Sequence, residues 1–212
     1  MNTVQQWGQT LHLVVELLAT VAFALSGIME AARKRLDAVG VFVVAFLSAF
    51  GGGTLRDLLL DQRPFFWVRH VEVLWAVLLL CVMAMAFMRQ RHFVVTEKTI
   101  QWPDALGLGL FTAAGVHQAL QAGLTGLVAV LMGVITGAFG GVLRDMVCNE
   151  IPVAFKDHRP YAVCAFVGGW AYVGCLELQA PGWVAMLACL LLTAGFRGLA
   201  LWRHWQLPAW RN

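Results

Sequence analysis

Two arginine–aspartate pairs stand inside apolar runs of this chain, Arg56-Asp57 and Arg144-Asp145. An arginine at the centre of a membrane helix costs about 2.5–3.5 kcal/mol on insertion scales, so these residues should face protein or water, not lipid. They can then act in two ways: as a structural brace of ion pairs, or as groups that line and gate a polar pathway. The two roles are compatible, because a gate can be an ion pair that breaks. Each pair follows consecutive glycines, Gly51, Gly52 and Gly53 before the first and Gly140 and Gly141 before the second. Glycine loses the most backbone entropy on ordering and loosens a helix. The pattern predicts two membrane helices, each interrupted at its glycines near mid-span.

An interrupted helix has free carbonyls where its first half ends and free amides where its second half begins. The carbonyl ends would lie near Ser48 to Phe50 and Thr136 to Phe139, and the amide ends would start at Thr54 and Val142. Carbonyl ends suit a cation and amide ends suit a carboxylate. The candidate pore and gate residues are therefore Ser48, Gly51, Gly52, Gly53, Thr54, Arg56 and Asp57 in the first motif. In the second they are Thr136, Gly140, Gly141, Arg144 and Asp145, and a transient cation is expected at the carbonyl ends of Phe50 and Phe139. The competing view of the glycines is that they only let two helices approach closely. The charged residues are expected to couple across the motifs, Arg56 with Asp145 and Arg144 with Asp57.

Glu16 and Asp104 are expected to favour helix N-termini, and Glu30 to pair with Arg33 or Lys34. His117 is expected to pack without binding a ligand. The five cysteines (Cys81, Cys148, Cys164, Cys175 and Cys189) show neither metal spacing nor a disulfide framework and suit apolar packing. There is no nucleotide-binding loop, metal-binding run or nucleophile–base spacing, so neither an enzyme nor a cofactor is expected.

The elements that must position these residues follow from composition. The chain has 212 residues, 60% of them hydrophobic and 13% charged. Soluble domains carry roughly twice that charged fraction. A membrane span needs about 20 mostly apolar residues. The apolar runs predict seven spans at about 11–30, 38–60, 71–88, 104–121, 124–148, 160–178 and 182–202. The fold class is an all-α integral membrane protein. The polar stretch 89–103 is expected to be its longest loop, and Pro64 and Pro152 follow the ends of spans two and five. The first run reads as a retained helix, not a cleaved signal. The formal charge of +3 is too small to suggest nucleic acid as a partner.

Trp7, Trp67 and Trp183 fall at one set of span ends, and Trp102, Trp202, Trp205 and Trp210 at the other, as in an aromatic belt. Trp75 and Trp170 lie deeper and are expected to pack. Arg33, Lys34, Arg35, Arg89, Arg91, Lys98, Lys156, Arg159, Arg203 and Arg211 share one side, against Arg63 and Arg69 on the other. The positive-inside rule then places the N-terminus outside and the C-terminus in the cytoplasm of an inner-membrane protein.

A single offset organises the chain. Arg56 and Arg144 are 88 positions apart, as are Asp57 and Asp145, Phe23 and Phe111, Gly27 and Gly115, and Pro64 and Pro152. Glu16 meets Asp104 at the same offset. Each half holds three spans, an odd number, so the second half should cross the membrane upside down relative to the first. Repeat one is expected over about 11–88 and repeat two over about 104–178, with an extra helix at about 182–202.

The GGGTLRD run at Gly51–Asp57, the GGVLRD run at Gly140–Asp145, the Pro64 and Pro152 stops and the FALSG of span one resemble the prokaryotic trimeric intracellular cation (TRIC) channels. The resemblance covers about Leu11 to Trp202. It implies a seven-helix protomer with kinked second and fifth helices, a homotrimer in membrane lipid, and a potassium-permeable pore in each protomer. The same family is also classified as a glycine transporter family. The function expected is a passive channel for potassium or sodium ions with its pore at the glycine-broken helices. The alternative is a secondary transporter of glycine or a similar small solute, and the four buried charges at the breaks argue against a third reading, a lipid-binding or structural membrane protein.

Overall fold

The computed structural model describes residues 3–91, 96–156, 160–203 and 205, with the side chains of 3–9 and 89–91 outside the description. Trp210, His158, Arg159 and Arg211, and the side chains of Trp7, Arg89 and Arg91, lie outside the described residues. The regular elements among the described residues are all helices: α1 (Thr3–Arg33), α2 (Ala38–Leu59), α3 (Phe66–Arg69), α4 (Val71–Arg91), α5 (Glu97–Gln121), α6 (Gly126–Val147), α7 (Ala162–Glu177) and α8 (Gly182–Trp202). Five of these are long and apolar enough to cross a membrane; α7 is shorter, at 16 residues, and α5 begins with charged residues.

Capping chemistry sets the helix boundaries. The Asp37 carboxylate accepts the Gly40 amide at 2.7 Å and starts α2. Thr96 does the same for α5, accepting the Thr99 amide at 3.3 Å. That cap corrects the expected loop at 89–103. With Glu97 in the first turn complementing the helix dipole, its last residues form the start of a helix that runs on through Pro103. At the other ends of α2 and α6, Asp61 and Asn149 take left-handed backbone conformations (φ 50° and 57°). The Gln62 amide then reaches the Asp57 carbonyl at 2.8 Å and the Glu150 amide the Asp145 carbonyl at 2.9 Å, closing each helix with the same two-bond motif. Asp61 and Asn149 are again 88 positions apart.

The centre of the molecule is formed by α1, α2, α5 and α6. α1 packs on α2 and α5, and α6 packs on α2 and α5. Phe23 of α1 stacks on Phe111 of α5 with ring centroids 5.6 Å apart. α7 and α8 pack on each other and on the α5–α6 side, while α4 lies at the edge against α2 and α1. Trp75 on α4 and Trp170 on α7 are exposed at 66% and 41%, so neither packs in the protomer core as expected. Trp67 goes the other way. It sits in the short helix α3 and turns its ring edge-on to Phe46, with centroids 5.6 Å apart.

The expected interruptions are absent. α2 and α6 each run as one α-helix through their glycines. The carbonyls of Ser48 to Phe50 and Thr136 to Phe139 therefore lie within helices, and the basis for a cation site at Phe50 and Phe139 is lost. The reason lies between the helices. A β-carbon on Gly52 would collide with the Thr136 carbonyl, and one on Gly140 with the Ser48 carbonyl. Gly52 and Gly140 serve close approach of two intact helices, and the packing recovered there offsets the propensity cost of about 1 kcal/mol per glycine.

Candidate functional site

The crossing of α2 and α6 places Arg56 one turn beyond the contact on one helix and Arg144 one turn beyond it on the other. Arg56 is fully buried. Its Nη2 donates to Glu16 Oε1 at 2.5 Å and to Asp57 Oδ1 at 2.7 Å, and its Nε donates to Asp57 Oδ1 at 2.9 Å. Asp57 Oδ2 accepts the backbone amide of Phe66 at 3.0 Å, which ties α3 to the cluster. Arg144, 2% exposed, repeats the arrangement. Its Nη1 donates to Asp104 Oδ1 at 2.7 Å and its Nε to Asp145 Oδ1 at 2.8 Å. Asp145 Oδ2 accepts the Val153 amide at 2.8 Å. Arg144 Nη1 also donates to the Ser26 hydroxyl of α1.

These contacts overturn two expectations. Arg56 does not pair with Asp145, nor Arg144 with Asp57. Each arginine instead takes the aspartate beside it and an acid from the preceding long helix of its own half. Glu16 and Asp104 are not at helix N-termini either; they sit within α1 and α5, 3% and 2% exposed, as the partners of the arginines. An acid in an apolar helix must find a cation, and forty positions separate each acid from its arginine. That equal spacing was the available signal.

The two clusters lie at different depths. Along α1, Glu16 marks one and Ser26 the other, ten residues on and about 15 Å along the axis. Each cluster formally carries one positive and two negative charges, a surplus of −1. Beyond the Arg56 cluster opens a cavity of about 410 Å³, lined by residues including His12, Glu16, Arg56, Asp57 and Arg69. Beyond the Arg144 cluster the space is only about 40 Å³, lined by residues including Glu30, Arg33, Asp104, Arg144 and Glu150. A ring of ion pairs closes that end. Arg33 donates to Glu30 at 2.7 Å, as expected, and to Glu97 and Glu150 at 3.4 Å each, while Lys34 donates to Glu150. The Lys34 ammonium and, behind it, Arg33 and Lys156 hold the Glu150 carboxyl below the usual carboxylate range.

The small hydroxyls divide. Thr54 Oγ1 accepts the Trp67 indole N–H at 3.1 Å, and Thr136 Oγ1 donates back to the Met132 carbonyl at 2.6 Å. Ser48 Oγ, fully buried at the crossing, has no partner. Of the glycines, Gly53 and Gly141 are less crowded than Gly52 and Gly140: a β-carbon would find its nearest neighbours at 3.8 Å and 3.1 Å. His117 packs, its Nδ1 2.8 Å from the Tyr172 hydroxyl. All five cysteines are free thiols, four of them buried.

Two residues not singled out by sequence also bear on the site. The Tyr161 hydroxyl lies near Gly141 and Asp104. Its ring is 4.9 Å from the guanidinium of Arg197, a fully buried arginine on α8 that donates to the Pro160 carbonyl at 3.1 Å. A lone arginine inside the last apolar span was the sequence signal for that contact.

A family model described as "Glycine transporter" matches the chain twice, over residues 13–89 and 101–177. A UPF0126 membrane protein of Vibrio cholerae is 34% identical over 92% of this chain and 81% of its own length. A UPF0126 inner membrane protein of Escherichia coli K12 is 33% identical, covering 92% and 93%. Among solved structures, a TRIC trimeric intracellular cation channel orthologue from Rhodobacter sphaeroides superposes with a TM-score of 0.86 at 32% identity, covering 92% of this chain and all of that one. A second structure, from work on conductance through TRIC cation channels, gives 0.82 at 32% identity, covering 94% and 97%. Apolar helices of spanning length and an inner-membrane relative together make this a multi-pass inner-membrane protein. The chain belongs to the prokaryotic TRIC channel family, which includes the UPF0126 membrane proteins and whose model is described as a glycine transporter.

Proposed function

We propose that this protein is a passive cation channel, not an enzyme, and that it conducts potassium or sodium ions through each protomer. The observation that carries this reading is the pair of buried clusters, each with a formal surplus of one negative charge, on either side of the α2–α6 crossing. A cation moving between the two cavities would meet negative charge on both sides of the glycine contact, with the unpartnered Ser48 hydroxyl between them. Weak sites in series let an ion enter and also leave. The solved relatives described as cation channels support the same reading.

The proposal includes the membrane arrangement. All seven long helices cross, 11–88 and 104–178 are inverted repeats, and 182–202 is the added helix. The N-terminus lies outside and the C-terminus in the cytoplasm. The protein assembles as a homotrimer in membrane lipid, as the described relative from Rhodobacter sphaeroides is trimeric. Gly51 to Gly53 and Gly140 to Gly141 let α2 and α6 bend to admit an ion, because opening a helical ladder is least costly where side chains do not hold it. Breaking the Arg56 and Arg144 pairs gates the passage.

A second reading, transport of glycine or a similar small solute, is favoured by one observation besides the family description. Arg56 Nη1 is buried without a partner beside the larger cavity, and a solute carboxylate would satisfy it. The deciding experiment measures potassium flux and labelled glycine uptake in the same vesicles. A potassium flux that does not saturate at low millimolar concentration supports the channel. Saturable glycine uptake without potassium conductance, lost in Arg56→Gln, installs the transporter.

A further inference from the structure

The two charged clusters share their formal charge but differ in one neighbour. The position beside Asp104 and Arg144 that corresponds to His12 is Ile100, 88 residues on, and Ile100 is 4% exposed. At the other cluster, Glu16 uses its two oxygens differently: Oε1 accepts from Arg56, and Oε2 lies 3.5 Å from His12 Nε2. His12 Nε2 is also 2.8 Å from Gln118 Nε2. His12 Nδ1 and Gln118 Oε1 are buried without partners. The imidazole lines the cavity of about 410 Å³ together with Arg56, Asp57, Arg69 and His70.

The geometry points to His12 as a proton-binding site that competes with a permeating cation for the charge of the Glu16–Arg56–Asp57 cluster, a competition the Asp104–Arg144–Asp145 cluster lacks. This inference rests on the cation-channel reading above. Neutral His12 accepts from the Gln118 side-chain amide at Nε2, and the cluster keeps its surplus negative charge. A proton on the ring turns Nε2 into a donor. Glu16 Oε2 stands ready to accept it, and a flip of the Gln118 amide would offer Oε1 as well. The surplus is then cancelled, and the mouth of the passage no longer favours a cation.

The groups facing His12 agree with a local role. Glu16 shares its helix, Arg56 and Asp57 come from α2, and His117 and Gln118 come from α5, with the His117 ring centroid 5.0 Å away. Behind His117 is Tyr172 of α7. Across the cavity are Arg69 and His70, and His70 Nδ1 is engaged by Glu72 at 2.9 Å. Ile100 offers no site for a proton, so the opposite cluster keeps its charge in acid over the range where carboxylates stay ionised.

The test uses the full chain in liposomes with the pH of each face set separately. Acidifying the His12 face from about pH 8 to about pH 4 is expected to lower potassium flux about twofold, and acidifying the other face to about pH 5, where its carboxylates remain ionised, to change it little. His12→Ile should flatten the response, and Ile100→His in that background should move acid sensitivity to the opposite face. Flux that remains equally acid-sensitive in His12→Ile overturns the inference but leaves the channel reading standing. No potassium flux at any pH overturns the channel reading and this inference with it. A readout that does not depend on flux is the NMR titration of labelled His12, assigned through its loss in His12→Ile. Raising potassium from about 100 mM to about 1 M should lower its midpoint by up to about one pH unit, since a tenfold change in a competing ion is at most one unit. A midpoint indifferent to potassium overturns the competition.

Discussion

Glu16 and Arg56, forty positions apart, meet at 2.5 Å, and Asp104 and Arg144, also forty positions apart, meet at 2.7 Å. Each buried arginine is thus neutralised within its own half of the chain. Where α2 crosses α6 the halves meet through backbone, Gly52 against the Thr136 carbonyl and Gly140 against the Ser48 carbonyl. Arg144 to Ser26 is a hydrogen bond across this boundary, and the Arg33–Lys34–Glu97–Glu150 ring is a set of ion pairs across it at one end. A shift of one half against the other would leave both buried clusters intact.

The first prediction concerns the glycines, which differ in what surrounds them. Gly52→Ala and Gly140→Ala should destabilise the protein and abolish flux, because their β-carbons meet backbone that has no room to move. The cost should be about 1–3 kcal/mol each, and more for Gly52→Leu. Gly53→Ala should be neutral or stabilising by up to about 1 kcal/mol, since its nearest neighbour is a side-chain nitrogen of Arg56 at 3.8 Å. Thermal unfolding of the three variants in detergent is the measurement. Equal losses at Gly52 and Gly53 would contradict close approach as the role of the first.

The second concerns partnership. Glu16→Gln should cost about 3–5 kcal/mol by leaving Arg56 short of a buried partner, and Arg56→Gln should not add the same amount again. A double-mutant cycle on Glu16 and Arg56 should therefore show strong coupling. The cycle on Arg56 and Asp145 should be additive within about 0.5 kcal/mol. The reverse pattern in denaturant unfolding would restore cross-motif pairing.

The third is a pH dependence at the closed end. The Glu150 carboxyl is held below its ordinary range, chiefly by its hydrogen bond from Lys34. A depressed carboxylate contributes stability that is present above the unfolded value and is lost as pH falls through the folded one. The contribution is therefore intact at neutral pH and fades in acid. Glu150→Gln should lower the melting temperature at pH about 7, and the gap from the unmodified protein should close below pH about 4. A gap that is constant across that range would show that Glu150 acts through packing alone.

Span placement was legible in the sequence because it rests on local chemistry. An apolar run of sufficient length must be helical in lipid. The apolar runs put span seven at 182–202, and α8 runs Gly182–Trp202; they put span two at 38–60, and α2 runs Ala38–Leu59. Thr96 hid the start of α5, since a polar stretch with a capping threonine reads as loop until the cap forms. What the glycines do was not legible. A break in a helix and a tight contact between two helices both require a missing β-carbon, and only the neighbour across the gap distinguishes them. At Gly52 that neighbour is Thr136, 84 positions away. The partners of Arg56 and Arg144 were decided the same way. The sequence by itself determined that two buried arginines need acids, because an unpaired charge is too costly in that setting. Which acids they take depends on helix rotation and crossing, and the tertiary packing turned Glu16 and Asp104 inward to meet them.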